Sequence, residues 1–360
     1  MKNRYHLSAI TAAMLLAISS VNADESSSTI DQSGDGNSAD IKQVGVDFSS
    51  SEIMQNGNDN NTTVIQGNST FSMYSTVNIQ GDLNMADVEQ HNAAGATANI
   101  TQSGLENIAQ IHQMTMSENA SAGINQTLEA WNNTATIRQT DESYWAQATI
   151  NQFDMAEFNT ALIVQNYAAD SIALITQEFS LESNAEAWQT GGAQNAEVYQ
   201  YDTWYSSATI NQSGDMNTAF IDQNSFDALT IDSTAMISQS GNENDASIYQ
   251  ESADTARSTV SQAGDGNIAT TSQTNGIDLL TTITQDGFGN DSLIDQTGSG
   301  NITDVQQMGD YGIVTINQSG LGVAGVENMA TVYQSGYMNT ATISQAGGAG
   351  NQASISQTPL

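Results

Sequence analysis

The chain has no cysteine, one proline (Pro359) and only 5 Lys and Arg among 360 residues. Without cysteine there can be no disulfide staples and no thiolate metal site. Against those 5 bases stand 40 acidic residues, for a formal net charge of −35. Nucleic-acid binding leaves a basic footprint, so this balance weighs against it, and equally against docking on an anionic membrane. It does favour solubility, because like-charged copies repel before they associate. Beyond the extreme N-terminus no apolar run approaches the ~20 residues that span a bilayer, so membrane insertion is not expected.

Catalytic chemistry is also thin. Downstream of the N-terminal segment the only histidines are His91 and His112, and they occupy unrelated positions in the pattern described below. No Ser-His-Asp or Cys-His constellation can be assembled from them. A solenoid enzyme acting on acidic sugars is the enzymatic alternative, but it needs basic groups, and only Lys42, Arg138 and Arg257 are present. Paired carboxylates are inevitable among so many acids and carry little information. Asp35-Gly36-Asn37 and Asp265-Gly266-Asn267 are reminiscent of oxygen-ligand calcium loops, yet calcium-binding solenoid repeats have period nine with Gly-Gly pairs. The expectation is a non-enzyme with no cofactor and no metal.

Residues 1–23 have the layout of a secretory signal: Lys2 and Arg4, an apolar run from Leu7 to Ile18, and Val21-Asn22-Ala23 as a small-residue cleavage site. Its removal takes two bases and no acids, leaving 40 acidic against 3 basic residues, a net charge of −37. Residues 24–29 then read as a short leader, and 358–360 as a tail.

What the chain has in abundance is a repeat. The skeleton Gln-x-Gly-x-x-Asn-x-Ala-x-x-x-Gln is complete at Gln32–Gln43, Gln102–Gln113, Gln212–Gln223, Gln239–Gln250, Gln262–Gln273 and Gln334–Gln345. Near copies run Gln55–Gln66 and Gln285–Gln296, with Thr62 and Ser292 in place of alanine. From Gln32 to Gln357 one can step along 28 glutamines at mostly 11 to 13 residues, with steps of 14 and 10 around Gln80. Ile or Val lies two residues before the glutamine in 25 of the 28, and Ala is frequent two residues earlier again. A spacing of two places Ala, Ile and Gln on one face of a strand, and β-branched content agrees. Gly- and Asn-rich clusters between the strands tolerate positive φ and can reverse the chain in few residues.

Strand and arc in alternation predict an all-β, two-sheet β-solenoid of about 14 turns, two short strands per turn. At ~4.8 Å per turn the rod is on the order of 65 Å long. An up-and-down meander has the same alternation, but it gives no reason for one amide to recur at one strand position; stacked copies place Gln on Gln and Asn on Asn as hydrogen-bonded ladders. The repeats span 30–357, with a degenerate, aromatic-rich stretch at 113–211 in which the Gly-Asn arc disappears. All four tryptophans (Trp131, Trp145, Trp188, Trp204) lie in this stretch, either as arc packing or as a binding patch on the flank. Tight arcs follow odd-numbered glutamines early (Gln32, Gln55, Gln102) and even-numbered ones later (Gln212 to Gln334). They should therefore line opposite edges of the two halves, with Gly104 and Gly214 apart. Neither rod end carries a substantial cap, so its open edges invite another copy.

The fully filled copies resemble the repeat of curlins, the subunits of curli amyloid fibres on bacterial surfaces. The resemblance covers roughly residues 30–357. It implies a secreted structural subunit that stacks end to end into extracellular fibres for surface adhesion and biofilm matrix. It also implies export through a curli-type pore, a nucleator, and contact with host or matrix surfaces. The ladder residues it assigns to self-assembly are Gln32, Asn37, Gln43, Gln102, Asn107, Gln113, Gln212, Asn217, Gln223, Gln239, Asn244, Gln250, Gln262, Asn267, Gln273, Gln334, Asn339 and Gln345. The alternative within the same resemblance is a non-polymerising surface solenoid, an adhesin or fibre nucleator. Two departures stand out: the chain has more repeats than is typical of curlins, and no Gly-rich segment separates the signal from Ile30.

Overall fold

The computed structural model describes residues 25–69, 72–225, 230–322 and 326–359; the signal-like segment 1–23 lies outside them. Within the described residues the molecule is all strand, turn and bend, with no helix. Two 14-stranded sheets run the length of the rod, and the chain alternates between them, so each sheet takes every second strand. All pairings are parallel, because each strand meets the one two places later after a full turn. The first sheet begins at Ser27–Ser33 and ends at Thr340–Ala346; the second begins at Ser38–Val46 and ends at Gln352–Gln357. This is a two-sheet β-solenoid of about 14 turns, and a meander is ruled out by the parallel order.

The inward face follows the period-two pattern. Ala109, Ile111 and Gln113 are fully buried, and so are their equivalents through most turns. Alanines and branched residues from Ile53 to Ile343 form one continuous core, with alanine providing the close approach that lets two sheets pack without voids. Arcs leading from the first sheet to the second form an outbound edge, and those leading back form a return edge. Gly104 lies on the outbound edge, stacked under Ala130, and Gly214 on the return edge, stacked under Gly241. The predicted separation of early and late tight arcs is therefore present.

Two readings of the chain change in the structure. Gln80 does not continue the glutamine column. Register pairs Gln55 with Ile79 and Ile79 with Gln102, so Ile79 takes the inward position and Gln80 is exposed. The odd steps around Gln80 are the trace of this one-residue shift, since a single slip exchanges the two faces of a strand. Nor are the aromatic repeats without the arc asparagine. Asn133 and Asn159 are buried in the outbound column above Asn107. The longer arcs there displace asparagine from its preceding glutamine, while it stays directly before the next strand, Thr134–Thr140 or Thr160–Asn166.

Candidate functional site

The recurrent polar groups assemble into ladders along the rod axis. In the second sheet each glutamine Nε2 donates to the Oε1 of the next, from Gln43 through Gln66, Gln90, Gln113 and Gln139 onward to Gln357. In the first sheet the column is continuous from Gln102 to Gln345. The remaining amide hydrogens go to strand carbonyls, as Gln113 Nε2 does to Thr97 and Ala120 at 3.1 Å each. Burial of so many amides is tolerable because almost all are satisfied; an unpaired buried amide costs about 1–3 kcal/mol.

The exception sits at Ile79. Gln32 Nε2 donates to Gln55 Oε1, but Gln55 has no glutamine above it and donates instead across the core to Thr62 Oγ1 at 2.8 Å. On the other side of the gap Gln102 Oε1 is buried without a partner. Thr62 thus stands at an alanine position for a reason: its hydroxyl receives the amide that Ile79 cannot. The same device recurs where Thr281, Ser292 and Thr303 replace alanine. Gln273, Gln285 and Gln296 donate across the core to them, and their hydroxyls donate back across it to Gln296, Gln307 and Gln318, the next rung of the donor's own column. These turns are cross-linked polar sandwiches.

Asparagine ladders run in the arcs, with the opposite polarity. Asn60 donates from both its backbone N and its Nδ2 to Asn37 Oδ1, and Asn84, Asn107 and Asn133 repeat this up the outbound edge. The column then moves to the return edge as Asn217, Asn244, Asn267 and Asn290. It finally resumes on the outbound edge as Asn301, Asn328 and Asn351. The side chain of Asn339 donates locally, to the carbonyl of Ser335 at 2.8 Å.

The structure thus brings Gln43, Gln113, Gln212, Gln239, Gln262 and Gln334 into one column and Gln102, Gln223, Gln250, Gln273 and Gln345 into the other, with Gln32 below the gap. It also brings together His91 and His112, which the sequence set apart. Both bind Glu89, His91 Nε2 to Oε1 at 3.1 Å and His112 Nδ1 to Oε2 at 3.2 Å. One turn separates them in space, because His112 is in register with Glu89. The tryptophans, by contrast, do not converge: Trp131 and Trp204 flank the outbound edge, Trp145 lies on the return edge, and Trp188 faces out from the second sheet. Among the described residues no group of three or more His, Asp and Glu could hold a metal ion.

A parallel two-sheet solenoid with axial Gln and Asn ladders defines a class: repeat proteins whose turns are made to stack. A family model of the curlin-associated repeat matches residues 232–274, 276–309 and 325–358. The C-terminal third of the chain therefore carries three matches to curlin-associated repeats. A search of curated proteins gave no match.

Proposed function

We propose that this protein is a secreted fibre subunit that stacks end to end, the last turn of one copy on the first turn of the next. The observation that carries this reading is the phase of the asparagine column. It leaves the outbound edge in the middle of the rod and returns to it at Asn301, Asn328 and Asn351, the edge on which Asn37 begins. A second copy set one strand spacing beyond the last turn brings its Asn37 onto Asn351, as Asn60 sits on Asn37. Glutamine polarity matches as well: Gln345 and Gln357 continue as donors toward the acceptors of Gln32 and Gln43. Among the described residues the end strands Ser27–Ser33 and Gln352–Gln357 each pair on one side only, which leaves a row of backbone groups for a further strand.

Adhesion, biofilm matrix, export through a curli-type pore and a nucleating partner follow from the family likeness as parts of this proposal. Purified chain lacking residues 1–23 is expected to bind thioflavin and to give a cross-β pattern with a meridional spacing of ~4.8 Å. A chain that stays monomeric at high concentration, with neither signal, would overturn the proposal.

A further inference from the structure

The outer face of the first sheet carries a cleft that the ladders do not use. Three adjacent strands, Ile172–Glu178, Asn195–Tyr201 and Thr218–Asn224, place two outward columns side by side. One column is Thr176, Tyr199 and Asp222; the other is Glu178, Tyr201 and Asn224. Together with Gln200 they line a cavity of about 380 Å³. Its aromatic walls are held in place by neighbours: Tyr201 meets Phe179 edge-on at 5.6 Å, and Tyr199 meets Phe220 at 5.8 Å. Carboxylates stand at diagonal corners, Glu178 at one and Asp222 at the other, the latter accepting a hydrogen bond from Asn224 Nδ2 at 3.0 Å.

Among the described residues no lysine or arginine lies on the sheet that carries this cleft: Lys42, Arg138 and Arg257 all belong to the second sheet. Burial pushes both carboxyls above their ordinary range, Glu178 further through Asp154; at Asp222 the Asn224 bond opposes the rise and Glu251 adds to it. Among the described residues neither carboxylate therefore has a cationic partner, and the Asn224 bond to Asp222 is the one opposing contribution. A second copy of the same face cannot supply it, since acid would meet acid.

We propose that this cleft binds a basic polypeptide segment, with cationic side chains lodged against Tyr199 and Tyr201 and paired with Glu178 and Asp222. Tyrosine faces attract ammonium and guanidinium groups, and a flanking carboxylate adds direct charge pairing. The two carboxylate positions are two strand spacings and one i,i+2 step apart, on the order of 12 Å. One cation cannot reach both, whereas two basic residues four positions apart in an extended segment, on one face at ~3.3 Å per residue, can. The cleft lies on the outer face of the first sheet and not at a rod end, so this inference stands apart from the fibre proposal.

Binding of a fluorescein-labelled hexa-arginine peptide to the chain lacking residues 1–23, read by anisotropy at about 0.15 M salt where long-range attraction is screened, tests it. Glu178→Gln/Asp222→Asn and, independently, Tyr201→Ala are each expected to weaken binding about tenfold or more, a loss of about 1.4 kcal/mol. Asp40→Asn/Asp304→Asn removes the same charge from the second sheet and is expected to change binding less than about twofold. Glutamine, asparagine and alanine at these outward positions leave the core untouched, and an unchanged circular dichroism spectrum verifies it. Equal weakening by both charge pairs, or no effect of Tyr201→Ala, would reduce the binding to general polyanion attraction and overturn the site. So would a cleft that takes a β-1,4-linked glucose hexamer in preference to the peptide.

Discussion

An amide can donate and accept along the same axis, and this is why glutamine and not serine or threonine recurs at the inward strand position. Within the unbroken columns Gln Nε2 reaches the Oε1 one turn ahead at 2.7 to 3.0 Å while its second hydrogen is free for a backbone carbonyl. The gap at Ile79 lets this be tested. Thr62→Ala removes the acceptor that Gln55 uses and is expected to lower stability by about 1 kcal/mol. In a background carrying Ile79→Gln, which restores the column between Gln55 and Gln102, the same change should cost close to nothing. A double-mutant cycle from urea unfolding reads the coupling directly, and a coupling near zero would show that Thr62 does not serve Gln55. Residue identity made most of the ladder legible in advance, since a repeated Gln two positions after Ile or Val admits one orientation. Ile79 was not legible, because Gln80 sits beside it and only the register of Gln55 and Gln102 decides between them.

Arcs are the elements that vary, and they carry most of what sequence spacing hides. Counting forward from each glutamine finds Asn107 and loses Asn133, because arc length differs; counting back from the next strand finds both. Length also sets the backbone. Tight arcs use glycine where φ is positive and where the next carbonyl lies over Cα, as at Gly214 (φ 101), where a methyl group would overlap Gly241 O. Longer arcs place Trp145, Phe158 and Tyr167 in the left-handed region, at φ 59, 54 and 52, which is uncommon for bulky residues. At this scale the asparagines are unequal. Asn107 donates to Asn84, Ser103 and Ala130 and accepts from Asn133, so Asn107→Ala is expected to cost roughly 2–3 kcal/mol. Asn339, whose side chain donates locally to Ser335, should lose less than about 1 kcal/mol on the same change. Chemical denaturation of the two variants side by side checks the contrast; equal losses would mean that the column adds nothing beyond the local turn. The clustering of His91 and His112 on Glu89 belongs here too, as it depends on which strands fall one turn apart.

Over the whole molecule the acids set the response to pH. Burial pushes the carboxyls of Asp87, Asp222, Asp245 and Asp291 above the usual 3.8 and that of Glu178 above 4.5. Because the folded state holds these protons more tightly than the unfolded state, their contribution to stability is present below the unfolded values. It is lost as pH rises through the folded ones. Acidification also lowers the large negative charge that opposes compaction and association. The rod is therefore expected to resist urea better near pH 4 than at pH 7, and Asp222→Asn should flatten that slope while a surface acid on the second sheet, Asp304→Asn, should not. A slope unchanged by Asp222→Asn would show that the Asp222 carboxyl does not contribute to it.

The proposed joint, in which one copy continues into the next through its ladders, is a property of the whole rod. Gln357 is partly exposed at the end of the second-sheet column, and in the proposed fibre its amide faces Gln43 of a following copy. Gln357→Glu replaces a donor by a carboxylate at that joint and leaves the interior of the rod intact. Elongation of preformed fibres by this variant, followed by thioflavin fluorescence beside the parent chain, is the direct measurement. Growth is expected to slow at least about tenfold at pH 7, with recovery near pH 4 once the carboxyl regains a proton to donate. Growth at the parent rate at pH 7 would rule out a joint made through the glutamine ladder.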